Sequence, residues 1–152
     1  MARYYCDTAR MTFSLLPDCL AARLPGSLAD VERVVAAVEA ARSVEAAAEE
    51  LRPDIELAGA IRWVRRRLRP VRAVLLALVT MAVGGLGPCR PTLESVGHQF
   101  GRPVLRQIRS RAERHLVALA APVGFGPRPR RGGHRRGPLE HDMGPDPPPR
   151  SR

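Results

Sequence analysis

With 152 residues, a net charge of +10 and a pI near 11.3, the chain has room for one domain and a strong electrostatic preference for anionic partners, nucleic acid first. All 25 basic side chains are arginine and the chain has no Lys or Asn, a bias that fits GC-rich bacterial coding. Three cysteines (Cys6, Cys19, Cys89) without a C-x-x-C pair, no cleavable leader after Met1, and an apolar run from Ala73 to Leu86 that falls short of the roughly 18 residues of a spanning helix argue against a disulfide-stapled secreted module and an integral membrane protein, and read as a reduced cytoplasmic one.

Residues 3 to 16 read as two short strands, Tyr4-Tyr5-Cys6 and Thr12-Phe13-Ser14-Leu15, joined by a turn at Asp7-Thr8-Ala9-Arg10. A hairpin this small does not hold itself together. Pro17 and Pro25-Gly26 punctuate the next stretch, with a short helical turn expected at Asp18 to Leu24.

Ser27 is placed as an N-cap, and Asp30 three residues on completes a capping box. Val31, Val34, Val35 and Val38 follow at helical spacing, so an amphipathic helix is expected to end near Arg42. Ser43 caps a second helix, with Glu45 in its first turn and Val44, Ala47, Ala48 and Leu51 on its apolar face. Pro53 ends it, and a third helix starts near Ile55 or Glu56.

The third helix carries Ile61-Arg62-Trp63-Val64-Arg65-Arg66-Arg67-Leu68-Arg69, five arginines in nine residues. At about 100° per residue, Leu57, Ile61, Val64, Leu68, Val71 and Leu75 gather on one side. Arg62, Arg65, Arg66, Arg69 and Arg72 gather on another, so one face can bury while the other meets phosphate or guanine edges, as in the recognition helix of a helix-turn-helix. A solvated charged face is the plainer alternative. Trp63 projects between the two faces, placed to seal the core edge or to stack on a nucleic-acid backbone. Pro70 is expected to kink or split the pattern into a basic helix to about Arg69 and an apolar helix to about Val83, stopped by Gly84-Gly85.

After a linker at Gly87-Pro88-Cys89-Arg90-Pro91, Thr92 can cap a short helix with Leu93, Val96 and Phe100, closed by Gly101. Pro103 then opens a last helix whose apolar face is Leu105, Ile108, Ala112, Leu116 and Leu119, with Arg102, Arg106, Arg109, Arg111 and Arg114 making it basic. From Pro122 onward Pro, Gly, Arg and His dominate, and the composition predicts a disordered tail whose Arg128, Arg130, Arg131, Arg135 and Arg136 add nonspecific phosphate affinity.

No catalytic constellation emerges, and no enzyme is expected. Glu45, Glu49 and Glu50 share one short helix, Asp54 and Glu56 suit a helix start, and the strand pattern of a two-metal carboxylate nuclease is missing. His98 has no nucleophile motif around it, His115 reads as a packing residue at the edge of the last helix, and His134 and His141 fall in the tail. Gly84-Gly85-Leu86-Gly87 lacks the ending of a phosphate-cradling loop.

The segment from Tyr4 to Pro17 resembles the end of the zinc ribbon that opens bacterial insertion-sequence transposases and their short relatives of unassigned function, where an aromatic strand leads to a C-x-x-C knuckle, a Thr-Phe strand and then a helix-turn-helix. The resemblance spans about residues 3 to 70. Here Cys6 holds the first position of the second knuckle, Ala9 stands where its second cysteine belongs, and the first knuckle would lie upstream of Met1. A tetrahedral site needs four ligands, so Cys6 is a lone remnant ligand and neither zinc nor any other cofactor is expected. The chain thus reads as an N-terminally truncated or decaying copy, or one whose start lies further upstream.

The expected architecture is mainly α: a ribbon-remnant hairpin in residues 1–26, a three-helix helix-turn-helix unit with its apolar helix in 27–86, a further helical segment in 87–121 and a disordered basic tail in 122–152. The resemblance and the basic helix together imply a DNA-binding protein with Arg62, Arg65, Arg66, Arg69 and Arg72 on the nucleic acid. A helical module that self-associates or binds a partner helix, and a mobile-element remnant without function, are the competing readings. A membrane-surface role is disfavoured by the breaks at Pro70, Gly84 and Gly85.

Overall fold

The structure, a computed structural model, describes residues 3–8, 10–14 and 16–126. Met1, Ala2, Ala9, Leu15 and the tail from residue 127, with its seven arginines, His134 and His141, lie outside them.

The expected hairpin is present as β1 (Arg3–Cys6) and β2 (Met11–Ser14), antiparallel, with Tyr5 opposite Thr12 and Cys6 opposite Met11. The next stretch forms turns in place of the expected helical turn. Pro17 and Pro25-Gly26 bracket too few residues to nucleate a helix. The backbone instead closes on itself, with the Ala21 N–H donating to the Gly26 carbonyl at 3.1 Å and the Leu28 N–H to that of Cys19 at 2.7 Å.

Helix α1 (Leu28–Ala40) starts where its cap predicts. Ser27 Oγ accepts the Asp30 N–H at 3.0 Å, and the Asp30 carboxylate accepts the Ser27 N–H at 3.1 Å. The Ser27 hydroxyl also donates to the Asp30 carboxylate at 2.7 Å, and this bond first, then the one from the Ser27 N–H, holds the Asp30 carboxyl below its ordinary 3.8. Leu28, Val31, Val34, Val35 and Val38 are buried along one stripe. Helix α2 (Val44–Leu51) is capped by Ser43 Oγ, which accepts the Ala46 N–H at 3.1 Å. It buries only Ala47 and Ala48, and packs against both α1 and the helix that follows. Side chains this small let the three backbones come close.

Helix α3 (Leu57–Met81) runs unbroken for 25 residues, with Pro70 inside it. The expected split at Pro70 is therefore corrected. The apolar stripe keeps its phase through the proline, and Val64, Leu68, Val71, Val74, Leu75 and Leu78 are all buried, which outweighs one missing backbone bond. Leu57, expected on the buried side, is 39% exposed at the helix start, and Ile61 is half-buried. The helix stops at Ala82 in the left-handed region, followed by a 3-10 turn, Val83–Gly85. Gly84 takes φ 66°, and a Cβ there would stand 3.3 Å from that of Arg111.

Thr92 caps α4 (Leu93–Phe100), which buries Leu93, Val96 and Phe100 and ends at Gly101 as expected. The last helix, α5 (Val104–Arg111), is shorter than its apolar pattern suggests: the chain tightens into a 3-10 turn, Glu113–His115, and then into turns that bury Leu119. Leu119 is thus buried from a turn rather than from a helical face. His115 is exposed, against the packing role expected of it.

One apolar core runs from Ala21 through α1, α3, α4 and α5 to Val123. Residues 122–126, assigned by composition to a disordered tail, belong to this body. Val123 is fully buried, and the backbone of this segment is tied down by two arginines. The Arg109 guanidinium donates to the carbonyls of Pro122 (2.7 Å), Val123 (3.0 Å), Asp18 (2.9 Å) and Leu20 (2.7 Å). Arg23 donates to the carbonyls of Gly126 (2.8 Å) and Phe125 (3.2 Å). Composition counts apolar side chains and misses this backbone satisfaction.

Candidate nucleic-acid interface

The arginines singled out from the sequence come together on α3. Arg62, Arg65, Arg66, Arg69 and Arg72 are all exposed, while Val64, Leu68 and Val71 on the opposite side are buried. Arg62, Arg65, Arg66, Arg69 and Pro70 line a shallow open hollow on this face. The helix rises about 1.5 Å per residue, so the row from Arg62 to Arg72 is about 15 Å long.

Each flank of the row is held by a neighbour. Toward α2, Arg65 Nη2 lies 3.7 Å from Glu45 Oε1. On the other flank stands Trp63, half-buried and packed against the core. The Arg67 guanidinium stacks 3.8 Å from its ring centroid and that of Arg52 lies 5.2 Å away. Trp63 therefore closes the core edge under two cations, the first of the two roles its position allows. Arg67 also donates to the Trp63 carbonyl at 3.2 Å, and burial, with Arg52 and Arg66 nearby, pushes its guanidinium down from its ordinary value. Arg52 is fixed by a two-point pair with Asp54, 2.7 Å at each contact, which raises it.

Three kinds of structural tie around the site escape a reading of the sequence. Arg67 and Arg52 look there like undifferentiated charge. Arg109 counts there among the basic residues of α5, yet it is 5% exposed, and burial lowers its guanidinium despite the pull of Asp18. Its place four residues after Leu105 and next to Ile108, on the apolar side of α5, is the available signal. Glu32 and Glu39 sit at the border of the α1 apolar stripe, and their carboxylates bind the N-termini of α5 and α4.

Among the described residues no group of three or more His, Cys, Asp or Glu is placed to hold a metal ion, and Cys6, Cys19 and Cys89 are free thiols. No described helix is long and apolar enough to cross a membrane. His98 is exposed in the last turn of α4. No family model, no curated protein and no solved structure matches the chain.

Proposed function

We propose that the chain is a DNA-binding protein related to the N-terminal regions of insertion-sequence transposases, with no catalysis of its own. The observation that carries this reading is the row of five exposed arginines along one side of a single helix whose other side is core. Arginine stays charged and forks onto phosphate or guanine, so the row offers a duplex repeated contacts at fixed spacing. In this reading α2 supports the turn and the first half of α3 enters the major groove, with Arg62, Arg65, Arg66, Arg69 and Arg72 on phosphates or guanine edges. The hairpin holding Cys6 is a ribbon remnant that works without zinc.

Arg62→Ala with Arg66→Ala tests it directly. The double variant is expected to bind a duplex more weakly and with a flatter dependence on salt, since each phosphate that α3 no longer neutralises takes about 0.9 off the log-log slope. Unchanged affinity and slope would remove α3 from the interface.

A helical protein partner or a second copy is the second reading, favoured by Leu76 (57% exposed) and Met81 (46% exposed) on the C-terminal half of α3. It predicts an oligomer insensitive to salt and indifferent to DNA.

A further inference from the structure

The basic row on α3 has an asymmetry that bears on how a duplex lies against it. Helix α2 packs beside α3 and turns Glu45, Glu49 and Glu50 toward solvent. Glu45 reaches across to Arg65 at 3.7 Å, with both side chains about half exposed (50% and 49%). Stepping about 100° per residue round α3, Arg72 lies about 20° to one side of Arg65, and on the other side Arg69, Arg62 and Arg66 turn progressively away in that order. Glu45, the α2 carboxylate that reaches the row, thus borders one side of it only.

In a helix-turn-helix the helix before the recognition helix crosses the phosphate backbone. Here that helix would bring the Glu45 carboxylate, with Glu49 close to it on the same face, against phosphates, and like charges at close range repel. Resting on the DNA-binding reading above, we infer that the duplex backbone lies along the Arg69, Arg62 and Arg66 flank of α3, away from α2, and that Glu45 is an internal competitor that occupies Arg65 in place of a phosphate. Glu45 acts through Arg65 and does not itself touch the duplex. The surface is therefore narrower than the arginine count suggests, and it is widened by removing a carboxylate.

The experiment measures binding of the full chain to a labelled duplex of mixed sequence by fluorescence anisotropy across a salt series. It compares the wild type with Glu45→Gln, Arg65→Ala, Arg66→Ala and the Glu45→Gln/Arg65→Ala pair, with circular dichroism checking that helix content is unchanged. Glu45→Gln is expected to bind about threefold tighter, the worth of one exposed ion pair, and to steepen the salt slope by about one phosphate. Arg65→Ala is expected to cost little in the wild type and several times more in the Glu45→Gln background. Glu49→Gln is the second variant: it makes no ion pair with the row and is expected to tighten binding less than Glu45→Gln. If the wild type binds but Glu45→Gln binds no tighter, or Arg65→Ala costs as much as Arg66→Ala, the inference fails and the DNA-binding reading stands. If the wild type ignores the duplex at low salt, both fail.

Discussion

Glu32 and Glu39 stand seven residues apart on one side of α1, and each carboxylate grips the N-terminus of a different helix. Glu32 accepts the Val104 and Leu105 N–H groups, both at 2.9 Å, and Glu39 accepts the Leu93 N–H with both oxygens, at 3.0 and 3.1 Å. Pro103, the residue before α5, has no side-chain oxygen to cap it, so Glu32 supplies from α1 what the local sequence lacks. The negative charges also meet the positive ends of two helix dipoles. Glu32→Ala is expected to lower stability by about 1–2 kcal/mol and Glu39→Ala by somewhat less, because Thr92 still caps α4. Urea unfolding followed by circular dichroism checks both. Glu32→Gln, which keeps one acceptor, should fall between the wild type and Glu32→Ala.

Arg109 makes a different kind of tie. It has four carbonyl partners from two segments, residues 18–20 and 122–123, that come together only in the folded chain. Arg109→Ala leaves the buried Val123 carbonyl and the part-buried Leu20 carbonyl without a donor, while that of Pro122 keeps the Ala22 N–H at 2.9 Å, and is expected to cost about 2–3 kcal/mol. Proteolysis should then cut the chain near residue 126 faster than in the wild type. Unaltered stability with unaltered protease resistance would contradict the role assigned to this guanidinium.

The Asp30 carboxylate gives a pH-dependent prediction. Its folded pKa lies below the ordinary 3.8, so the capping contacts contribute stability above that value, and the contribution is lost as pH falls from 3.8 through the lowered folded value. Asp30→Asn should destabilise the protein at neutral pH, with the difference from wild type closing as pH falls below about 4. Thermal unfolding at a series of pH values checks this; a difference that stays constant across that range would contradict it.

What the sequence makes legible is local. Ser27, Ser43 and Thr92 each lie within three residues of the N–H they bind, and the valines of α1 and the leucines of α3 repeat within a turn or two, so those helices stand out. The arginine row follows from the same periodicity. The split expected at Pro70 does not occur because the gain from burying both halves of α3 depends on the rest of the core, which no window around the proline contains. Arg109 and Glu32 are illegible for a related reason: their partners are backbone atoms as far as 91 and 73 residues away, which carry no side-chain signature. The extension of the packed body to Gly126, beyond the boundary set by composition, depends on Arg109 and Arg23 in the same way.

Whether the α3 arginines contact nucleic-acid phosphates is tested most directly by fluorescence anisotropy of the purified chain with a labelled duplex across a salt series, with unlabelled duplex of unrelated sequence as competitor. Tight binding at low salt is predicted, with a log-log slope matching about three or more phosphates at about 0.9 each. A chain that fails to bind at low salt, or binds with no dependence on salt, would contradict it.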